Sequence, residues 1–136
     1  MTKDFGRLNR YEVAQTGEKI AIIGLGTFFE LAKEAAKLLK EEAGINATVI
    51  NPYYITGLDE ALLTKLKQNH DTVITLEDGI LDGGFGEKIA RFYGASNMKV
   101  MNYGLKKEFL DRYDVDAVLK ENHLTAEQIV EDVLSI

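Results

Sequence analysis

The sequence contains no cysteine and, among its 136 residues, a single proline, Pro52. The lack of cysteine excludes a disulfide, a thiol nucleophile and a cysteine-based zinc site, and the lone proline leaves long helices possible. Basic residues are also outnumbered, because 16 Lys and Arg face 22 Asp and Glu for a net charge of −6. A nucleic-acid-binding surface needs a basic footprint, so we expect no nucleic acid partner.

Long apolar runs are missing as well, so no segment has the length that a membrane span needs. Residues Met1–Arg10 are polar and lack the apolar stretch of a signal peptide. We expect this segment to be a linker or a frayed end, and we expect a cytoplasmic protein without membrane association. The remaining residues, 11–136, have the size of one domain, and a hydrophobic content of 46% with 28% charged residues is ordinary for a globular fold.

Strand-like and helix-like segments alternate along residues 11–136. Short β-rich apolar runs are followed by segments in which apolar residues recur at helical spacing. The predicted strands are Tyr11–Ala14, Ile20–Ile23, Ala47–Ile50, Val73–Leu76 and Lys99–Tyr103. Because parallel strands joined through helices require right-handed crossovers, this alternation predicts a mostly parallel sheet in a three-layer α/β/α sandwich.

The predicted helix starts lie near Thr27, Asp59, Phe85, Asp114 and Thr125, and capping residues mark three of them. Glu30 lies three residues after Thr27, and Gln128 lies three residues after Thr125, which is the spacing of a capping box. Asp59 has the position of an N-cap. Gly44 is a fitting stop for the first of these helices.

The segment Thr72–Tyr93, TVITLEDGILDGGFGEKIARFY, is the most informative stretch of the chain. Its composition predicts a strand, a glycine-rich turn and a helix, and Phe85, Ile89 and Phe92 fall on one face of that helix. In open α/β sheets, ligands and partners dock at the carboxyl ends of the strands. The turn of this segment is therefore the expected point of contact. Gly84 and Gly86 are predicted to be backbone requirements of the turn, with a positive φ, rather than ligand contacts.

A dinucleotide site is the first alternative to weigh, because Gly24 and Gly26 follow a strand and precede a helix. The fingerprint also requires a third glycine, where this chain has Phe29, and an acid at the end of the next strand, where it has Asn51 and Pro52. We therefore interpret the two glycines as a tight structural turn.

A metal site is the second alternative, because Glu77, Asp78, Asp82 and Glu87 surround the central turn and Mg²⁺ takes carboxylate ligands. Acids also gather at such turns as helix caps and dipole partners, which is the interpretation we favour. Asp78 with Asn102 loosely matches the metal motif of thiamine diphosphate enzymes, but glutamate precedes Asp78 where that motif has glycine.

A catalytic constellation is not visible in the residues. His70 precedes a strand and His123 lies between two predicted helices, and no serine or cysteine in a nucleophile motif accompanies either. We expect both histidines to be surface or capping residues. The residues thus predict no catalytic, cofactor-binding or metal-binding residue in this chain.

Four segments together resemble the C-terminal domain of the transketolase superfamily. They are EKIAIIGLGTFFELAKEAAKLL, ITGLDEALL after Asn51 and Pro52, VITLEDGILDGGFGEKIARF and VMNYGLKKEFLDRYD. Within the superfamily they most resemble the 1-deoxy-D-xylulose-5-phosphate synthases, and the order of segments agrees from about Tyr11 to Ile136. The segments LEDGILDGGFGE and NYGL correspond to the acidic, glycine-rich turn and to a strand end of that family.

The resemblance implies a five-stranded mixed sheet with the first strand antiparallel, and it implies that this chain is one domain of a larger transferase. The other domains of such an enzyme hold thiamine diphosphate and Mg²⁺ and convert pyruvate and glyceraldehyde 3-phosphate into 1-deoxy-D-xylulose 5-phosphate and CO₂. This domain would then serve assembly with those domains in a homodimer and would be inactive alone.

Two other functions stay open at this point. One is the same domain in a transketolase or in the β subunit of a 2-oxo acid dehydrogenase. The other is a free-standing module that binds an anion at the predicted helix start, residues Gly83–Gly86, since glycine turns before helices bind anions. Acidic neighbours and the lack of a basic residue in the turn count against the second.

Ile80 and Leu81 are two apolar residues in an otherwise polar turn. Burying each would stabilise a protein by about 1.5–3 kcal/mol, so either they fold back onto the core or they form an apolar anchor with an acidic rim. We favour the anchor, because the resemblance assigns assembly to this domain. The candidate domain or subunit interface consists of Asp78, Ile80, Leu81, Asp82, Gly83, Gly84, Phe85 and Gly86.

Overall fold

A computed structural model describes residues 11–25, 28–52, 59–80, 85–94, 96–105 and 125–135 of the chain. Within these residues the chain forms five strands and four helices. The strands are β1 (Glu12–Gln15), β2 (Lys19–Gly24), β3 (Thr48–Asn51), β4 (His70–Ile80) and β5 (Lys99–Leu105). The helices are α1 (Phe29–Ala43), α2 (Glu60–Leu66), α3 (Phe85–Tyr93) and α4 (Ala126–Leu134).

The strands form one mixed sheet in the order β1-β3-β2-β4-β5. β2 pairs in parallel with β3 and with β4, and β4 pairs in parallel with β5. β1 pairs with β3 in the antiparallel direction, with a bulge between Val13 and Gln15. The prediction of a five-stranded mixed sheet with an antiparallel first strand is confirmed.

Helices cover both faces of this sheet and enclose two apolar cores. One core joins Ile22 and Ile74 to α1 and α4, and the other joins Ile23 and Val73 to α2 and α3. Neighbouring residues of β2 and β4 point to opposite faces, and both faces are buried, which is why these strands read as continuous apolar runs. The three-layer α/β/α arrangement is therefore confirmed for the described residues.

Two of the predicted helix starts are confirmed by their capping bonds. The Asp59 carboxylate accepts the Leu62 N–H at 3.2 Å. The Thr125 hydroxyl oxygen accepts the Gln128 N–H at 3.2 Å and the hydroxyl donates to the Gln128 side chain at 2.9 Å. Each bond satisfies a backbone N–H that has no partner inside its own helix, so the short sequence signals fixed these two starts correctly.

Helix α1 begins one residue later than the capping-box pattern predicts. Phe28 occupies the N-cap position and makes no side-chain capping bond, whereas Thr27 lies outside the described residues. Glu30 pairs with Lys33 at 3.0 Å on the exposed face of α1. At its other end α1 stops at Gly44, whose φ of 67° is the left-handed conformation that glycine adopts readily.

The strand β4 extends further than predicted. The sequence predicts a strand that ends at Leu76, but β4 continues to Ile80, which pairs with Leu105 after an irregularity in the register. β5 is also longer than its apolar run and supplies this partner backbone. The predicted helix near Asp114 and the residue His123 lie outside the described residues. No helix in the described part of the chain has the length and apolar character to cross a membrane.

Candidate functional site

Four residues meet where β4 and β5 approach their carboxyl ends and α3 begins; we call Thr75, Glu77, Gly86 and Asn102 the Gly86 cluster. Thr75 and Asn102 are paired across β4 and β5. Glu77 lies two residues beyond Thr75 on β4, and side chains two residues apart share a face of the sheet. Gly86 is the second residue of α3, so one strand pair and one helix build the cluster.

The Glu77 carboxylate accepts the backbone N–H of Gly86 at 2.6 Å. Glu77 is 3% exposed, so this hydrogen bond is shielded from water. The N–H groups at the start of a helix lack partners within the helix and carry partial positive charge. The chain thus places its own carboxylate where a helix start would otherwise attract an external anion.

The Thr75 hydroxyl donates to the Asn102 carboxamide oxygen at 2.6 Å. Thr75 is fully buried, and its hydroxyl hydrogen has no other acceptor among the described residues, so the carboxamide oxygen must face it. That orientation directs the Asn102 Nδ2 group away from Thr75. Asn102 itself is only partly buried.

Gly86 is required for space rather than for its backbone conformation. A Cβ atom at Gly86 would lie 2.7 Å from Thr75 Oγ1 and 2.8 Å from both Cγ and Oδ1 of Asn102. Gly44 is the glycine with positive φ in the described part of the chain, so the expectation of a positive φ at Gly86 is wrong. The helix start packs directly against the strand pair, and only glycine fits there.

The predicted interface residues are distributed along β4 and α3. Asp78 and Ile80 lie in β4, and Phe85 is the first residue of α3. Gly86 is buried in the cluster described above. The predicted turn residues Leu81, Asp82, Gly83 and Gly84 lie outside the described residues. Ile80 is therefore a strand residue and not the tip of a turn.

His70 lies at the opposite end of the strands, as the first residue of β4. It is buried, so the expectation of a surface position is wrong, whereas the expectation of a capping role agrees with its contact at the end of α2. Ring atom Nε2 of His70 lies 2.7 Å from the Thr48 hydroxyl oxygen. Ring atom Nδ1 lies 3.1 Å from the Leu66 carbonyl oxygen at the end of α2. Thr48 Oγ1 also accepts the Gly17 N–H at 2.9 Å. Burial lowers the pKa of His70 from its ordinary 6.5, which favours the neutral ring. The Leu66 carbonyl oxygen can only accept a hydrogen bond, so the ring hydrogen is on Nδ1.

The described residues do not fit a metal or a diphosphate. No three acidic or histidine side chains in that part of the chain lie close enough together to hold a metal ion. Its buried side-chain nitrogen and oxygen atoms all have hydrogen-bond partners, and the Gly86 N–H is taken by Glu77. At the other glycine turn, a Cβ on Gly24 would lie 2.7 Å from the Phe28 carbonyl, so α1 closes over the space a ligand would need.

Sequence reasoning missed the pair of Thr75 and Asn102. It considered Asn102 only as part of a metal motif and rejected it. The two residues are 27 positions apart, so no local pattern links them. The available signal was that both are polar residues inside predicted β-strands, where asparagine is unfavourable.

Comparisons with known proteins agree with this architecture. Residues 9–129 match the family model "Transketolase, C-terminal domain". The chain is 37% identical over 126 residues to the 1-deoxy-D-xylulose-5-phosphate synthase of Symbiobacterium thermophilum, covering 91% of this chain and 19% of that protein. The synthase of Lysinibacillus sphaericus is 32% identical over 126 residues, with coverages of 90% and 20%. The chain thus spans about a fifth of the length of these curated relatives.

Solved structures show the same fold. A split gene transketolase, described as an inactive beta4 tetramer, superposes with a TM-score of 0.82 at 29% identity and covers 93% of this chain and 42% of that chain. The transketolase of Campylobacter jejuni has a TM-score of 0.68 at 16% identity, with coverages of 96% and 19%, and supports the fold alone. Together with the family match over most of its length, these likenesses establish that the chain belongs to the transketolase C-terminal domain family.

Proposed function

We propose that this chain is the C-terminal domain of a thiamine diphosphate-dependent 1-deoxy-D-xylulose-5-phosphate synthase. The enzyme is a cytoplasmic homodimeric transferase that forms 1-deoxy-D-xylulose 5-phosphate and CO₂ from pyruvate and glyceraldehyde 3-phosphate. The observation that carries this proposal is the 37% identity to such a synthase over 91% of the chain.

The proposed role of the domain is to bind the other domains of the synthase and support its dimer, and it contributes no catalytic residue. The polar groups of the Gly86 cluster bond to one another: Thr75 to Asn102, and Glu77 to Gly86. A group that performs acid–base chemistry must reach the reacting atoms, and the hydroxyl of Thr75 and the carboxylate of Glu77 are buried within the domain. Thiamine diphosphate and Mg²⁺ then belong to the other domains, which supply the reaction chemistry.

The anion-binding alternative is opposed at Gly86, whose N–H group already has an acceptor. It requires the free N–H groups at the start of α3, and the buried Glu77 carboxylate bonds to the Gly86 N–H. An external phosphate would have to displace a carboxylate that is already covalently tethered next to the site.

A second candidate function has one observation in its favour. The likeness to the split gene transketolase agrees with a domain of a transketolase that is encoded in more than one chain. Substrate use separates the candidates, because the synthase consumes pyruvate and releases CO₂ whereas a transketolase moves a two-carbon unit between sugars.

The direct test is a domain replacement in the Symbiobacterium thermophilum synthase. Residues 11–136 of this chain take the place of the homologous domain, and the truncated synthase without any such domain is the control. We expect the chimaera to form 1-deoxy-D-xylulose 5-phosphate from pyruvate and glyceraldehyde 3-phosphate, and the control to be inactive. A chimaera that is folded and dimeric yet inactive on these substrates contradicts the proposal.

Calorimetry tests whether thiamine diphosphate and Mg²⁺ bind to the other domains and not to this one. Titration of this chain with thiamine diphosphate and Mg²⁺ should give no binding heat. An affinity in the micromolar range, about −8 kcal/mol, would show that the domain holds the cofactor after all.

The assembly surface is proposed to include the segment from Asp78 to Gly86, with Ile80 and Leu81 as its apolar anchor. The double variant Ile80→Ser, Leu81→Ser should leave the unfolding midpoint of the isolated chain nearly unchanged and should weaken the dimer of the chimaera. A loss of several kcal/mol in the isolated chain would place these side chains in its own core.

A further inference from the structure

We infer that Asn102 is a polar docking contact through which this domain binds the preceding domains of the same synthase, donating from Nδ2 to a neutral oxygen such as a peptide carbonyl. This inference rests on the proposed function, since it names the partner and the chemistry of one point on the assembly surface. It begins from the Nδ2 group of Asn102, which is fixed in place and forms no hydrogen bond to a described residue.

The carboxamide of Asn102 is held in one orientation. Its oxygen accepts the hydroxyl of the fully buried Thr75 at 2.6 Å. The opposite orientation would leave the Thr75 hydroxyl hydrogen buried without an acceptor among the described residues, which is unfavourable. Gly86 packs against the carboxamide, because a Cβ there would lie 2.8 Å from Asn102 Cγ.

The fixed carboxamide presents two N–H donors that no described residue accepts. Asn102 is partly exposed, and Nδ2 carries both of these donors. Asparagine is also unfavourable inside a β-strand, yet Asn102 lies in the middle of β5, which runs from Lys99 to Leu105. The oxygen of Asn102 serves the fold by accepting the Thr75 hydroxyl, but its Nδ2 donors form no bond to a described residue. A strand residue that is unfavourable by local rules and only half used by the fold indicates a functional position.

The charge of the surroundings selects the acceptor. The neighbouring Glu77 carboxylate contacts the same glycine as Asn102, and Glu87 lies in the first turn of α3. A carboxylate or phosphate on the partner would be repelled by these acids, whereas a peptide carbonyl would not. A neutral oxygen flanked by basic side chains on the partner is the complementary surface.

The partner is the remainder of the synthase. The curated relatives are about five times as long as the matched region, which is 19–20% of each, and the family model identifies that region as the C-terminal domain. The carboxyl ends of the strands are where partners of open α/β sheets dock, and Asn102 packs against Gly86 at the start of α3, the helix that follows the carboxyl end of β4.

The substitution Asn102→Asp isolates the donors. Aspartate keeps an oxygen for the Thr75 hydroxyl and has the same shape, but it replaces the two N–H donors by a second oxygen. The probe is the Symbiobacterium thermophilum synthase truncated to remove its own homologous domain, and binding of this full chain is measured by calorimetry. We expect Asn102→Asp to weaken binding by roughly tenfold or more while the variant chain unfolds at nearly the wild-type temperature.

A second pair of variants covers the case in which a carboxylate near Glu77 prevents folding. Asn102→Ser and Thr75→Val both disrupt the side-chain hydrogen bond between Thr75 and Asn102, but only Asn102→Ser removes the Nδ2 donors. The inference requires Asn102→Ser to bind at least several-fold more weakly than Thr75→Val.

The outcomes separate this inference from the proposed function. If the wild-type chain does not bind the truncated synthase, both are wrong. If the wild-type chain binds and Asn102→Asp or Asn102→Ser binds as tightly as its control, the donors are satisfied by water and only the inference is wrong.

Discussion

Replacing Gly86 by alanine tests how closely α3 is packed against β4 and β5. The added Cβ would lie 2.7 Å from Thr75 Oγ1 and 2.8 Å from Asn102 Cγ and Oδ1. These distances are shorter than van der Waals contact, and Thr75 is fully buried and therefore cannot turn outward. The helix start or the strand pair must shift to admit the methyl group.

The expected cost follows from two opposing effects. Overpacking a well-packed site costs about 1–3 kcal/mol, and alanine recovers up to about 1 kcal/mol over glycine within a helix. The expected net destabilisation by Gly86→Ala is about 1–2 kcal/mol, which lowers the melting temperature by roughly 3–8 °C for a domain of this size. Thermal and urea unfolding of the two chains side by side measures it.

A matched control separates contact from conformation. Gly44 has a φ of 67° and nothing within 4 Å of a built Cβ, so Gly44→Ala tests backbone strain alone. In an Asn102→Ala background, where two of the three close contacts are gone, Gly86→Ala should cost less. Gly44→Ala should cost the same in both backgrounds, because distant sites are additive. A Gly86→Ala chain that is as stable as the wild type would refute the packing argument.

The other predictions concern single side chains whose partners are known. Glu77→Ala should lose about 1.5–3 kcal/mol of stability in urea unfolding, because it leaves the buried Gly86 N–H without its charged acceptor; Glu77→Gln keeps an acceptor oxygen and should lose clearly less, and equal losses would contradict the hydrogen-bond account. Burial lowers the pKa of His70 below 6.5, so at mildly acidic pH the unfolded chain binds a proton that the native chain does not. Its share of stability is complete above pH 6.5 and falls as the pH drops below that value, and His70→Gln should flatten this part of the pH profile. Tyr93→Phe should lose about 1 kcal/mol, because the Tyr93 hydroxyl donates to the Leu63 carbonyl at 2.7 Å; an unchanged unfolding midpoint would show that this bond contributes nothing.

The sequence predicted the parts of the fold that depend on local patterns. The continuous apolar run from Ile20 to Ile23 indicated a strand buried on both faces, and these residues are 0–4% exposed. The side chains of Asp59 and Thr125 marked helix starts because their capping bonds span only three residues. Each of these signals lies within one element, so no knowledge of the tertiary structure was needed.

The features that the sequence did not predict all depend on residues far apart in the chain. The end of β4 at Ile80 is set by its partner Leu105, and the acidic residues before Ile80 read locally as a turn. The need for glycine at position 86 of helix α3 arises from Thr75 on β4 and Asn102 on β5. The candidate interface stays a prediction that rests on the resemblance and on the place of the turn in the segment. Glu77 was considered as an acid near the turn, but its partner, the Gly86 N–H, could not be identified without the fold.

The internal bond from Glu77 to the start of α3 has a consequence for how such turns respond to solution conditions. A side chain tethered next to its binding position acts at an effective concentration set by its short linker, in the millimolar range or far above when rigidly held. Free phosphate or sulfate in a buffer must therefore displace the Glu77 carboxylate at this high effective concentration, and not merely displace water. At a few millimolar anion, where the general stabilising effect of phosphate on proteins is small, the melting temperature of this chain should therefore change no more in phosphate than in chloride of equal ionic strength. A glycine-rich strand-to-helix turn preceded by a buried acid behaves as a site that already has its ligand.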